Sequence, residues 1–207
     1  MLSRRELLRK LPGLPRVTST GPWSRAVAFH LLLAPPPGVL SGPPQPLWPG
    51  GPAANGARFT PQGTFDSLYV SSDPVTALQE VNAVFATFGA PLLYPWTVFG
   101  VNGVLTDILD LTDAATQTHL GTNLQELTGN WAVMQDMHLQ GRGALPPTQI
   151  LGEAAYASMA LLGMKYPSAK NQPGGINYVL FPDRLPNCPP SYVEVMDPHG
   201  NLRQRFP

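Results

Sequence analysis

GARFTPQGTFDSLYVSSDPVTALQEVNAVFATF, residues 56–88, packs a strand, a turn and a helix into one run. Leu68, Tyr69 and Val70 are strand formers in a short apolar stretch, which predicts a strand carrying Tyr69. Ser71, Ser72 and Asp73 then offer N-cap oxygens. Pro74 suits the first helical position, where its missing N–H would have no partner anyway. Leu78, Val81, Phe85 and Phe88 recur at three- and four-residue steps, so the helix is expected to turn this stripe toward a core. Glu80 lies off the stripe among Ala77, Ala83, Val84 and Thr87, small residues that either leave room for another molecule or face water. Arg58, Tyr69 and Glu80 thus stand on three successive local elements.

Upstream, Trp23 to His30 alternates loosely with aromatic and β-branched residues and predicts a first strand carrying Arg25. Between the two strands, residues 35–52 hold eight prolines and four glycines. That density is incompatible with regular helix or interior sheet and predicts an extended loop. Residues 1–22 read as a basic N-terminal arm or short amphipathic helix, free to be mobile or to meet a partner. Arg4-Arg5 has the look of an export signal, but the prolines that follow interrupt any continuous apolar core.

Downstream, residues 97–111 read as a strand, and residues 114–127 as a helix interrupted at Gly121. Residues 148–164 read as a third, buried helix leading into Tyr166-Pro167-Ser168. Gly174 and Gly175 turn the chain into a strand over residues 176–181. Residues 192–195 and 201–206 flank Asp197-Pro198-His199-Gly200, predicting a closing hairpin. Strands and helices mix without strict βαβ alternation, so the fold class is α+β: a single domain with a mixed or antiparallel sheet and flanking helices, over residues 23–207.

Thirteen basic and thirteen acidic residues balance, leaving no overall field for nucleic acid or an anionic membrane. The apolar run 26–34 is too short to span a bilayer. The single cysteine, Cys188, rules out an intrachain disulfide and a cysteine-based zinc cage, and fits a reducing, cytoplasmic setting. Asp107, Asp110 and Asp113 are spaced by three but lack the glycine and terminal glutamate of a calcium loop, and read as solvated or capping residues. His119 and His138 have no partner at metal spacing, so no metal is expected. Nor is there a Gly-rich dinucleotide fingerprint at a strand-to-helix turn.

The order Gly-x-Arg-aromatic, then Leu-Tyr, then Ala-x-x-Glu at residues 56–80 resembles the RES-domain family. A second block, GEAAYASMALLGMKYPSAKNQPGGINYVLF at residues 152–181, is similar to that family's serine segment, with Ser168 as the serine. The residues Leu109-Asp110-Leu111-Thr112-Asp113 and Trp131 fall between them where the family has similar ones. The resemblance implies an NAD-degrading toxin with a fold similar to ADP-ribosyltransferase toxins. It implies that NAD is substrate rather than cofactor, that phosphate or water is the acceptor, and that a helix-turn-helix antitoxin protein is the partner. Transfer of ADP-ribose to another acceptor is the enzymatic alternative, and a non-catalytic partner-binding module the other.

The resemblance also assigns roles: Glu80, Arg58 and Ser168 to catalysis, and Arg25, Arg58, Tyr69, Ser168 and Lys170 to holding NAD. Nicotinamide leaves from an already cationic nitrogen, so one carboxylate suffices where ordinary glycosidases keep a second as acid. Glu80 would stabilise the oxocarbenium-like charge, Arg58 would grip the pyrophosphate with its planar fork, and Tyr69 would offer its ring to nicotinamide and its hydroxyl to ribose. Ser168 would orient ribose, phosphate or the attacking group. Arg25 reads equally as a strand-edge arginine in a surface ion pair. The family's tryptophan-asparagine after the first-block arginine is Phe59-Thr60 here, and a frequent arginine after the serine is Lys170.

Overall fold

The longest strand organises the architecture of this computed structural model, which describes residues 1–33, 43–87 and 95–207. It runs over Trp96–Asp110 and is the eighth of the elements that place the site. Before it come α1 (Arg4–Lys10), β1 (Val17–Thr20), β2 (Trp23–Ala28), α2 (Phe29–Leu33), α3 (Gly50–Asn55), β3 (Leu68–Ser71) and α4 (Pro74–Thr87), so the long strand is β4. After it come α5 (Ala114–His119), α6 (Leu124–Thr128), α7 (Trp131–Leu139), α8 (Pro147–Ala157), β5 (Gly163–Pro167), β6 (Ile176–Leu180), β7 (Tyr192–Val195) and β8 (Arg205–Phe206).

β4 is long enough to serve several neighbours. Its first half pairs antiparallel with β2 and its second half with β1, while β7 and β5 pair elsewhere along it. Because β2 also pairs with β3, β3 with β6, and β6 with β5, the pairings close a circuit β2-β3-β6-β5-β4. Only the β4–β5 pairing within that circuit is parallel. The sheet is therefore mixed, and the chain is one α+β domain. The register against β1 slips between Val17 and Ser19 opposite residues 105–108, beside Asp107 at φ 54°. This local irregularity behaves as a bulge, and beyond it Ile108 and Leu109 are both buried.

Alternation along the strands builds two cores. On β6, Val179 joins Phe59, Leu109, Met164, Leu151 and Phe181 beneath α8. Its neighbours Tyr178 and Leu180 join Trp23, Leu68, Val70, Leu105 and Ile108 on the opposite face. Gly152 lets α8 approach closely, because a side chain there would collide with the Phe59 carbonyl, next to Arg58.

Three sequence expectations need correction. Residues 1–22 include the short amphipathic helix that the sequence allowed, α1, but they pack against the domain and are not a free arm: Leu7 and Leu11 are fully buried against Leu120, Leu127 and Leu151, and β1 extends the sheet. The basic residues of α1 face outward around that two-leucine stripe, and Ser3 with Glu6 forms a capping box. The proline-rich loop, expected over residues 35–52, yields to α3 from Gly50, while residues 34–42 lie outside those described. The helix expected over residues 148–164 stops at Ala157, Met159 takes φ 56°, and Gly163 to Pro167 continue as β5. By contrast β4, the break between α5 and α6 at Gly121 (φ 62°), and the hairpin of β7 with β8 fall close to where the sequence put them.

Candidate functional site

A cavity of about 390 Å³ opens between β2, β3, α3 and α4. Its lining includes Arg25, Arg58, Tyr69 and Glu80, residues from four separate elements or loops. Trp48, Trp96, Trp131, Tyr166 and Asn177 complete much of the wall.

α4 delivers Glu80. Asp73 caps its first turn by accepting from the Thr76 N–H at 2.9 Å, and the Thr76 hydroxyl bonds the same carboxylate. The helix packs on β2, β3 and β6 through its small-residue face, with Thr76 and Ala77 buried. Of the expected apolar stripe, Leu78 is 38% exposed. Val81 lines the cavity, Phe88 lies outside the described residues, and so do the side chains of Ala83, Val84, Phe85 and Thr87. Thr76 and Ala77 are small enough to permit the close approach that puts Glu80 against the sheet.

The Glu80 carboxylate is held asymmetrically. Ser168 Oγ donates to Oε1 at 2.6 Å, and Asn177 Nδ2 donates to the same oxygen at 2.8 Å. Among the described residues Oε2 has no hydrogen bond. Ser168 in turn accepts from the Lys170 and Asn171 N–H groups at 3.1 and 2.9 Å, which fixes its hydroxyl as a donor to Glu80. Ser168 is fully buried and lies outside the cavity lining. It therefore holds Glu80 from behind and does not present its hydroxyl to the cavity. Lys170 is exposed and also outside the lining, and its contribution here is its backbone N–H.

Arg58 is 6% exposed. Its Nη1 donates to the Leu127 and Gly129 carbonyls, at 2.8 and 2.9 Å, at the C-terminal end of α6. Nε and Nη2 make no hydrogen bond among the described residues, and Arg58 lines the cavity. Arg25 makes no ion pair among the described residues. All three of its guanidinium nitrogens donate to carbonyls, of Pro46, Tyr69 and Trp48, at 2.8–3.1 Å. Burial brings its pKa down to about 10, so it remains a cation near neutral pH. Through these bonds Arg25 fastens the Trp48 wall to β3. Neither arginine forms a salt bridge among the described residues, and a cavity with two such cations favours an anionic occupant.

Tyr69 turns its ring to the cavity but spends its hydroxyl inside. That oxygen accepts from the Phe59 N–H at 3.1 Å and shares a hydrogen bond with Thr60 Oγ1 at 3.0 Å. Burial pushes its pKa up to about 12. A hydroxyl reaching toward ribose, the role expected from the sequence, is not what the geometry offers.

Asn177 escapes the sequence reading, although an asparagine within the apolar strand Ile176–Leu180 is a signal, since that residue is depleted in strands. The aspartates at 107, 110 and 113 have other uses: Asp107 pairs with Arg16, Asp110 with Lys165, and Asp113 caps α5. His119 and His138 meet nearby carbonyls on the surface.

One carboxylate, the buried Arg58 and half-buried Arg25 guanidinium groups and an aromatic wall, gathered on a closed mixed sheet, define a single-domain α+β protein with a cleft lined by both signs of charge. The RES domain family model matches residues 36–203, and the chain belongs to that family. A chain in the crystal structure of the M. tuberculosis MbcT–MbcA toxin–antitoxin complex has the same fold, with a TM-score of 0.60 at 18% identity over 84% of this chain and 81% of that one. No curated protein sequence gives a significant match. Among the described residues no helix is long and apolar enough to cross a membrane.

Proposed function

We propose that this chain consumes NAD by breaking the bond between nicotinamide and ribose. The observation that carries the reading is the Glu80 carboxylate at the cavity wall, fixed through Oε1 with Oε2 unbonded among the described residues, where the other charged lining residues among those described are Arg25 and Arg58. NAD offers matching chemistry, with an anionic pyrophosphate for a cationic wall and a ribose whose C1′ becomes electron-poor as nicotinamide departs.

In this mechanism the free Nε and Nη2 of Arg58 take the pyrophosphate, and the rings of Tyr69, Tyr166 and the tryptophans cover the flat parts of the ligand. The C1′–N bond breaks with its electron pair going to nicotinamide, which leaves neutral and needs no proton. Glu80 Oε2 accepts a ribose hydroxyl hydrogen bond that strengthens as positive charge grows on the sugar, a gain specific to the transition state. Phosphate or water then forms the new bond to C1′, and the acceptor's proton goes to solvent. NAD is thus a substrate, and no metal is called on.

A toxin role in the cytoplasm, restrained by an antitoxin protein of the helix-turn-helix kind, extends the same reading. It draws on the family and on the likeness to a chain of a toxin–antitoxin complex. Incubating the purified chain with NAD, with and without inorganic phosphate, and identifying products by mass spectrometry tests the reaction. Free nicotinamide with ADP-ribose or its 1″-phosphate is expected. Intact NAD under both conditions rejects the reading.

A further inference from the structure

Two donors fix Glu80, and they come from different parts of the chain. Ser168 lies in the loop after β5, whereas Asn177 lies on β6, is 3% exposed, and stands at the cavity wall. The Asn177 amide is engaged at both ends: Nδ2 donates to Glu80 Oε1 at 2.8 Å, and Oδ1 accepts from Ser71 Oγ at 2.7 Å. Reversing the amide would set its oxygen against a carboxylate oxygen, two acceptors with no hydrogen between them. The Ser71 hydroxyl, donating to Oδ1, favours the orientation in which the NH₂ group meets Glu80. Ser71 and Asn177 sit on paired strands, in register across β3 and β6.

We propose that Asn177, oriented by Ser71, is a positioning residue for Glu80: it locks the carboxylate with Oε1 turned to the sheet and Oε2 turned to the cavity. The inference rests on the reading of this cavity as an NAD-cleaving site. Its physical content is a division between the two oxygens. Ser168 and Asn177 saturate Oε1, so the acceptor capacity left to the carboxylate is concentrated where substrate must lie. Two donors from separate elements also exclude rotamers that a single hydrogen bond would leave open.

Asn177→Asp tests the role because it keeps the shape and removes the donor. It places a second carboxyl group beside Glu80, and two carboxylates in such contact retain a proton between them to higher pH. The acid limb of the kcat profile for NAD cleavage is therefore expected to move up by about one pH unit or more. KM should stay near that of the unsubstituted chain, since Asn177 acts through Glu80. Ser71→Ala, a milder change, should lower kcat by about tenfold with KM unchanged, because a misplaced reacting group is costly.

The outcomes separate. An unsubstituted chain that leaves NAD intact removes the underlying reading and the inference with it. An active chain whose Asn177→Asp profile superimposes on its own overturns the inference alone, as does a raised KM with unchanged kcat, which would make Asn177 a substrate contact. Should Asn177→Asp fail to fold, Ser71→Ala decides, and an unchanged kcat there overturns the proposal.

Discussion

Ser168 Oγ donates to Glu80 Oε1 at 2.6 Å across 88 positions of chain, and both of its backbone partners, Lys170 and Asn171, belong to its own loop. The serine is a relay between a loop and a carboxylate. Its two incoming N–H bonds leave its own hydrogen nowhere better to go than Glu80.

Ser168→Ala should therefore lower kcat for NAD cleavage by about ten- to a hundredfold through loss of Glu80 positioning, with a small change in KM. The unpaired N–H groups should also destabilise the fold by about 1–3 kcal/mol. Steady-state kinetics together with urea unfolding check both. A strongly raised KM with normal kcat would mean that Ser168 touches the substrate.

Arg58 has two duties, and its variants should reveal both. Replacement by Ala strips the Leu127 and Gly129 carbonyls of their donor, at a cost of about 1–3 kcal/mol, and removes the pyrophosphate contact. Because pyrophosphate charge hardly changes during cleavage, KM should rise far more than kcat falls. Arg58→Lys should restore KM only in part, since an ammonium lacks the planar fork. Calorimetric binding of a non-cleavable NAD analogue gives the same ranking.

Asp73 gives a pH test. The Thr76 side-chain hydrogen bond, helped by backbone N–H groups, holds its carboxyl below the ordinary 3.8. A depressed folded-state pKa stabilises the fold above the unfolded value and is lost as pH falls through the folded one. Asp73→Ala should thus cost about 1 kcal/mol near neutrality, and its melting temperature should converge with that of the unsubstituted chain below about pH 4. A constant gap from pH 7 to pH 2.5 would show that the cap does not depend on charge.

Gly152→Ala should shift the Phe59 carbonyl and with it Arg58, because the added methyl has no room. A loss of about 1–3 kcal/mol is expected, with a raised KM. Unchanged thermal stability would mean that α8 can move away freely.

The legible parts of this chain were those governed by local rules. The apolar, β-branched run of β4 and the glycine break after α5 depend on near neighbours, and so does the Asp73-Pro74 helix start. The order of Arg58, Tyr69, Glu80 and Ser168 pointed to the family, and three of the four, with Arg25, line one cavity. What each side chain does there was not legible. The Tyr69 hydroxyl is tied to Phe59 and Thr60, Arg25 to three carbonyls, and Ser168 to the back of Glu80, all consequences of closing the sheet. On α4, apolar periodicity pointed to Leu78, which is exposed, and gave no sign that Thr76 and Ala77 would be buried. Likewise the buried leucines Leu7, in α1, and Leu11, just after it, were hidden among Arg4, Arg5, Arg9 and Lys10.

Glu80→Gln bears most directly on the central claim, because it keeps the size of the side chain and removes the charge that opposes the developing cation. NAD turnover by this variant and by the unsubstituted chain, measured across NAD concentrations at equal folded fraction, should show kcat reduced by about a hundredfold or more with KM little changed. Full turnover by a folded Glu80→Gln protein would contradict the account.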